Sequence, residues 1–114
     1  MLKAEFGIID TIDGKKDYST YEPQKYCCVS ISDDYLTDWW EQLRMMKTYF
    51  HSLDRPNVAL ARWGVTLIPP VSLSILQNIV LGDPRLNTNQ DLVQLARIIQ
   101  KAIAENKFMI HYGV

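Results

Sequence analysis

The sequence has few residues that form disulfides or bind metals. Its 114 residues include two cysteines, which are adjacent, and two histidines, which are far apart. Neighbouring residues of a strand point to opposite faces of a sheet, so Cys27 and Cys28 can neither pair easily nor share a metal. No Cys-x-x-Cys or His-x-x-x-His motif occurs. We therefore expect no metal site and no disulfide framework, and we expect both thiols to be buried and inert in a central strand.

Charge of one sign and long apolar runs are also missing. Twelve basic and thirteen acidic residues leave a net charge of −1. Nucleic-acid binders concentrate basic surface and membrane-surface proteins carry polybasic segments, so neither kind of partner is expected. No stretch approaches the roughly 20 apolar residues of a transmembrane helix, and the N-terminus lacks the apolar core of a signal peptide. These absences predict a cytoplasmic protein.

Phosphate-cradling glycine loops are missing as well, because the five glycines are scattered. We therefore expect no nucleotide or other cofactor. What remains is an ordinary globular composition, with 47% hydrophobic and 22% charged residues. Together with the length, this composition predicts one domain that spans residues 1–114.

Hydrophobic periodicity predicts an α+β fold with the order β-β-α-β-α-α-β. The expected strands are residues 2–10, 26–32, 57–68 and 108–112. Gly64 marks a bulge in the third of these, or a break into two strands. The expected helices follow residues 33–38, Pro69 and residues 87–89. This order is typical of an antiparallel or mixed sheet of about four strands with helices mainly on one face.

The first predicted helix separates two adjacent tryptophans. Its start is open between Asp33 or Asp34 and a capping box at Asp38. Its apolar face is formed by Leu36, Trp39, Leu43, Met46 and Phe50. Trp39 lies near the centre of this face and is expected in the core, whereas Trp40 lies toward one edge. Trp40 is therefore a candidate for contact with a partner.

The loop that follows, residues 51–56, contains the best candidates for chemistry. His51, Asp54 and Arg55 supply an imidazole, a carboxylate and a guanidinium within five residues. Such groups can perform acid–base work or hold an anion. The structural interpretation is stronger, because a histidine at a helix C-terminus and an Asp-Arg turn need no function. Arg55 is retained as a second candidate for contact with a partner.

Arg62 is unusual because the strand predicted around it should be largely buried. A buried arginine must be paired or lie at an edge, and a structural ion pair is favoured over an anion site. The possible partners are Asp10, Asp33, Asp34 and Asp54.

The helix after Pro69 is apolar nearly all the way round. Such a helix is normally buried on more than one side. The second cover is either the last helix or another copy of the chain, and the internal explanation is favoured.

Two stretches in the middle third of the chain carry a recognisable pattern. They read YFHSLDRP at residues 49–56 and ARWGVTLIPP at residues 61–70. The pattern resembles small bacterial proteins of unknown function. The resemblance implies a bacterial cytosolic protein, and it transfers no catalytic residues.

Two functional hypotheses follow. The leading one is a non-enzymatic protein-binding or regulatory domain that binds a protein partner, with a homodimer as one form of this hypothesis. The alternative is a small enzyme or ligand-binding protein with a site near His51, Asp54 and Arg62. A ligand site should show a pocket in which these side chains converge, whereas a binding module should show an exposed apolar patch.

Overall fold

The computed structural model describes residues 2–113 and confirms the α+β class. The strands are β1 (Lys3–Ile8), β2 (Val29–Ser32), β3 (Lys47–Phe50), β4 (Pro56–Val58), β5 (Val65–Ile68) and β6 (Met109–Tyr112). The helices are α1 (Asp34–Leu43), α2 (Pro70–Leu81) and α3 (Gln90–Glu105), with a short 3₁₀ turn at Pro84–Asn87. The six strands lie in the order β2-β1-β6-β5-β3-β4, and every neighbouring pair is antiparallel.

The three helices and one face of the sheet enclose the larger core. Alternation along β1 directs Ala4 and Phe6 to this face, and both are fully buried. α3 contributes Leu92, Leu95, Ala96, Ile99 and Ala102 to the same cluster. Burial of each large aliphatic side chain contributes about 1.5–3 kcal/mol, so this face supplies most of the driving force for folding.

The opposite face of the sheet is covered by the long segment between β1 and β2. Tyr18 and Tyr26 from this segment are buried against Val65, Leu67 and Ile110. The segment approaches β1 so closely that a Cβ at Gly7 would lie 2.6 Å from the carbonyl oxygen of Tyr26. The absence of a side chain at Gly7 therefore allows this loop segment to pack directly on the sheet.

Two helix starts follow the sequence signals. Pro70 is the first residue of α2, where a missing N–H costs nothing. The side chain of Asn89 accepts hydrogen bonds from the N–H groups of Asp91 and Leu92 at the start of α3. α3, α1 and the sheet cover most of α2, and its middle exposes only the polar residues Ser74 and Asn78, whereas the apolar Val71 and Leu81 are exposed near its two ends. The second cover of α2 is therefore largely internal.

The number of strands was underestimated because β3 lies where helix was predicted and because residues 57–68 form two strands, the alternative that Gly64 left open. α1 ends at Leu43, so the prediction that it continues to Phe50 was wrong, and Phe50 lies in β3. The three- and four-residue spacing continued past Leu43 because Met46 is buried in the turn after the helix and Phe50 is a half-buried residue of β3. The predicted strand at residues 57–68 is broken into β4 and β5.

The cysteines lie elsewhere than predicted. β2 begins at Val29 and is an edge strand, so neither cysteine lies in a central strand. Cys27 is exposed in the preceding turn at a positive φ of 52°, and Cys28 is half-buried. Both are free thiols. Burial, with a smaller effect of the Glu5 charge, raises the pKa of the Cys28 thiol to about 12.

Candidate functional site

The loop between β4 and β5, residues 59–64, is held firmly against the rest of the molecule. It begins at Ala59, which has a positive φ of 61°. The N–H of Ala59 donates to the carbonyl of Met46 at 2.9 Å, and its carbonyl accepts from the Thr48 hydroxyl at 2.7 Å. These bonds fix the direction in which the loop leaves the sheet.

Arg62 ties this loop to α1. Its Nη2 donates to Oδ2 of Asp33 at 2.5 Å and to the hydroxyl of Thr37 at 3.3 Å. Its guanidinium carbon lies 5.4 Å from the centre of the Trp40 ring, within the range of a cation–π interaction. Of the four aspartates that the sequence offered as partners, Asp33 forms the ion pair with Arg62, which lies in a loop and not in a strand.

The end of β6 supports the loop from beneath. A Cβ at Gly113 would lie 2.4 Å from the carbonyl oxygen of Arg62, so only glycine permits this approach. The N–H of Ala61 donates to the hydroxyl oxygen of Thr66 at 2.8 Å. The same oxygen lies 3.3 Å from Nδ1 of His111. A polar chain therefore connects the loop to the central strand.

His111 is fully buried, and its ring centre lies 4.9 Å from that of Phe6. Desolvation, together with the nearby Arg62 charge, lowers the pKa of His111 to about 3. The imidazole is therefore neutral at physiological pH. Three buried polar atoms of this neighbourhood have no hydrogen-bond partner within residues 2–113: Asp33 Oδ1, Arg62 Nε and His111 Nε2. The cluster is consequently polar but incompletely bonded.

Trp63 lies on the solvent-facing side of this loop. Its side chain is 78% exposed, the highest value of any aromatic residue among the exposed large side chains. Two further exposed apolar residues, Met45 (74%) and Val58 (48%), lie next in sequence to Met46 and Ala59, whose backbones are hydrogen-bonded where this loop begins. We call the group Trp40, Met45, Val58, Arg62 and Trp63 the Trp63 surface. It combines an exposed tryptophan with an arginine that is held in place.

His51 lies in the β3–β4 hairpin, so the prediction that it follows a helix was wrong. It has a positive φ of 68°, and its Nδ1 lies 3.2 Å from the hydroxyl oxygen of Ser19. Asp54 and Arg55 are exposed in the same hairpin. Arg62 pairs with Asp33 instead. Within the described chain, no hydrogen bond or ion pair joins His51, Asp54 and Arg62 to one another.

The surroundings of His51 do not activate a nucleophile. The Ser19 hydroxyl donates to Oδ1 of Asp17, and hydrogen bonds from Ser19 lower the pKa of that carboxyl. In a nucleophilic triad the serine proton goes to the imidazole, which the carboxylate orients. Here the Ser19 hydroxyl lies between the imidazole and the carboxylate and donates its hydrogen bond to the carboxylate. The arrangement is that of a hydrogen-bonded turn.

A second arginine cluster lies at the other side of α1. Arg85 donates through Nε and Nη2 to Asp83 and through Nη1 to Asp38. Asp83 also accepts from Nε1 of Trp39 at 2.8 Å. The hydrogen bonds from Arg85 hold the pKa of Asp83 well below its usual range. A cleft of about 380 Å³ opens beside this cluster. Three of its polar lining residues, Asp38, Asp83 and Arg85, already bind one another.

The structure also bears on metal binding and on membrane insertion. Within residues 2–113, no three His, Cys, Asp or Glu side chains are grouped so that they could hold a metal ion. In that part of the chain, none of the helices has the length and apolar character needed to cross a bilayer. Comparison with protein-family models, with curated proteins and with solved structures gave no match.

Sequence reasoning missed the most exposed of these residues. Trp63 was assigned to a buried strand because Val58, Leu60 and Val65 surround it in the sequence. The only available signal was Gly64, which left open a break between two strands. A loop placed at that break would have exposed both Arg62 and Trp63.

Proposed function

We propose that this chain is a non-enzymatic protein-binding domain that engages its partner through the Trp63 surface. The observation that supports it is the 78% exposure of Trp63 on a loop that Arg62, Thr66 and Gly113 hold in place. Tryptophan and arginine are the residues most enriched among those that dominate binding energy at interfaces. A side chain presented on a rigid loop also loses little conformational entropy on binding.

The neighbouring residues fit this role. Met45 and Val58 add apolar area, and Trp40 extends the surface beneath the Arg62 guanidinium. The alternative, a ligand site at His51, Asp54 and Arg62, receives less support because these side chains have separate partners. Arg55, the other sequence candidate, lies in the hairpin and does not belong to the Trp63 surface.

The experiment compares two variants that each remove an exposed apolar side chain. Trp63→Ala changes the proposed surface, whereas Val71→Ala changes a residue of α2 that is 81% exposed and lies outside it. The wild-type chain and both variants are immobilised and exposed to an extract of the source cells, and retained proteins are quantified by mass spectrometry. A retained candidate is then purified, and its affinity for each chain is measured by calorimetry.

We expect Trp63→Ala to weaken binding of the partner at least tenfold, as is typical of a loss above about 1.4 kcal/mol. Val71→Ala should bind as the wild type does. Equal retention of every protein by all three chains, or no specific retention by the wild type, would contradict the proposal.

A further inference from the structure

The two edges of the sheet differ in whether another strand can pair with them. Edge strands present rows of unpaired N–H and C=O groups, and proteins usually block them. β4 forms one edge and β2 forms the other. The hydrogen bonds that each edge makes to its inner neighbour show which residues point outward.

The β4 edge is blocked. The N–H of Phe50 donates to the carbonyl of Arg55, and that of Ala59 donates to the carbonyl of Met46, both at 2.9 Å. Alternation along an antiparallel pair therefore leaves Pro56 and Val58 pointing outward. Pro56 has no N–H, and the N–H of Val58 donates to the side chain of Asn57 at 2.9 Å. This edge offers no free donor to another strand.

The β2 edge is open. The N–H of Asp33 donates to the carbonyl of Leu2 at 3.0 Å, so residues 29, 31 and 33 face β1. Ser30 and Ser32 consequently point their N–H and C=O groups away from the sheet. No hydrogen bond of the described chain engages these backbone groups. β2 itself, Val29–Ser32, contains no proline and no charged residue.

We propose that the β2 edge pairs with the β2 edge of a second copy of this chain, in antiparallel orientation. With Ile31 on the two-fold axis, Ser30 of each copy faces Ser32 of the other. Each such pair exchanges both of its N–H···O=C bonds. The two sheets then form one continuous sheet, and the open edges are satisfied by each other.

Charge complementarity favours a second copy over an unrelated strand. The uncharged strand causes no repulsion when it pairs with itself. Lys25 lies in the exposed turn before β2, where its ammonium is 3.9 Å from Glu22 and remains open to solvent, and Asp34 is exposed at the start of α1 directly after β2. Antiparallel pairing brings the Asp34 end of each strand to the Lys25 end of the other, which places opposite charges together at both ends.

Two matched proline substitutions test the pairing. Ser30→Pro and Val58→Pro each place proline at an outward-pointing position of an edge strand, where the lost N–H makes no ladder bond. Oligomeric state is measured by light scattering across a concentration series, and unfolding curves establish that each variant is folded. If Ser30→Pro does not fold, Ser32→Lys, which places a charge at the same edge, replaces it.

We expect the wild type and Val58→Pro to form a dimer, and Ser30→Pro to raise the dimer dissociation constant at least about tenfold. Hydrogen exchange should show that the amides of Ser30 and Ser32 become protected as concentration rises. Lys25→Glu should weaken the dimer, and adding Asp34→Lys should restore it.

A wild type that remains monomeric at every concentration, or a dimer that Ser30→Pro leaves intact, would overturn the proposal. Concentration-independent exchange at Ser30 and Ser32 would do the same. Ser30 and Ser32 do not belong to the Trp63 surface, although Arg62 of that surface pairs with Asp33, the residue that follows β2. Failure of this proposal therefore leaves the function proposed for the Trp63 surface to be tested separately.

Discussion

Two arginine–aspartate pairs lie on either side of α1, and adjacent tryptophans of that helix belong to different pairs. Trp39 donates to Asp83, which also accepts from Arg85. Trp40 lies beneath Arg62, which pairs with Asp33. In the first cluster both carboxylate oxygens of Asp83 are used. In the second, Asp33 Oδ1 and Arg62 Nε have no partner within the described chain.

This difference separates a structural connection from a presented surface. A buried polar network in which the charged atoms are bonded rigidifies its surroundings. The Arg85 cluster connects α1 with the segment before α3, where Arg85 also lies 4.3 Å from the centre of the Tyr35 ring. The Arg62 cluster fixes a loop in which the residue after Arg62, Trp63, faces solvent. The first stabilises the core, and the second positions a side chain outside it.

The largest expected effect distinguishes the two tryptophans. Trp39 is 2% exposed and loses both its packing and its bond to Asp83 when truncated. We expect Trp39→Ala to lower the free energy of unfolding by about 3–5 kcal/mol. Trp40→Ala should cost about 1–2 kcal/mol, because its ring is only partly buried. Urea denaturation of both variants measures the difference. Equal losses of unfolding free energy would contradict the assignment of the two tryptophans to clusters of different roles.

Acid should destabilise the protein through His111, which lies near Arg62 but not in the Arg85 cluster. The folded pKa of His111 is about 3, against an ordinary value of 6.5. The unfolded chain therefore binds the proton more readily, so stability is complete above about pH 6.5 and falls as pH decreases toward 3. Each pH unit within that window should cost roughly 1.4 kcal/mol.

Denaturation at several pH values measures this dependence. His111→Leu should flatten the dependence of the unfolding free energy on pH between about pH 6 and pH 4, because the variant has no imidazole at this position to protonate. His51→Ala serves as the control and should retain the slope. An unchanged slope in His111→Leu would show that the acid sensitivity arises elsewhere.

The two aspartates should differ when each is removed. Asp83→Ala removes the acceptor of the buried Nε1 of Trp39 and of Arg85 Nε and Nη2, while Arg85 keeps its bond to Asp38, and we expect a loss of about 2–3 kcal/mol. Asp33→Ala should cost about 1–2 kcal/mol, because Arg62 is 30% exposed and can turn to water. Both variants remove one negative charge, so a general charge effect cancels in their comparison by thermal unfolding. A larger loss for Asp33→Ala would reverse our assignment of the structural role.

The smallest effect is expected at His51, which lies outside both clusters. Glycine adopts a positive φ without steric cost, so His51→Gly should relieve backbone strain while it removes the contact with Ser19. We expect these effects to offset to within about 0.5 kcal/mol. A loss of several kcal/mol in equilibrium denaturation would give the imidazole a structural importance that its half-buried position does not suggest.

Helix ends and isolated amphipathic segments were predictable because local rules determine them. Asn89 caps α3, Pro70 begins α2, and Trp39 is buried while Trp40 is only partly buried, all as the sequence pattern indicates. The end of α1 was not predictable in this way. Met46 and Phe50 kept the helical spacing, but Met46 is buried from a turn and Phe50 is half-buried in a strand.

Short strands were the weakest part of the prediction, for a physical reason. β4 has three residues, all exposed, and it exists only because β3 pairs with it. Neither its composition nor its periodicity marks it as a strand. The loop that contains Arg62 and Trp63 depends on the same pairing, so the candidate site could not be located without the sheet.

The sequence by itself determined the class of the fold, its three helices and the pairing requirement of Arg62. These follow from periodicity, capping chemistry and the cost of burying an unpaired charge, which are properties of short segments and single residues. Only the tertiary structure decided the strand order, the choice of Asp33 as the partner of Arg62 and the exposure of Trp63. Those features depend on contacts between residues distant in the chain, such as Gly113 with Arg62, and no local pattern specifies which distant segments meet.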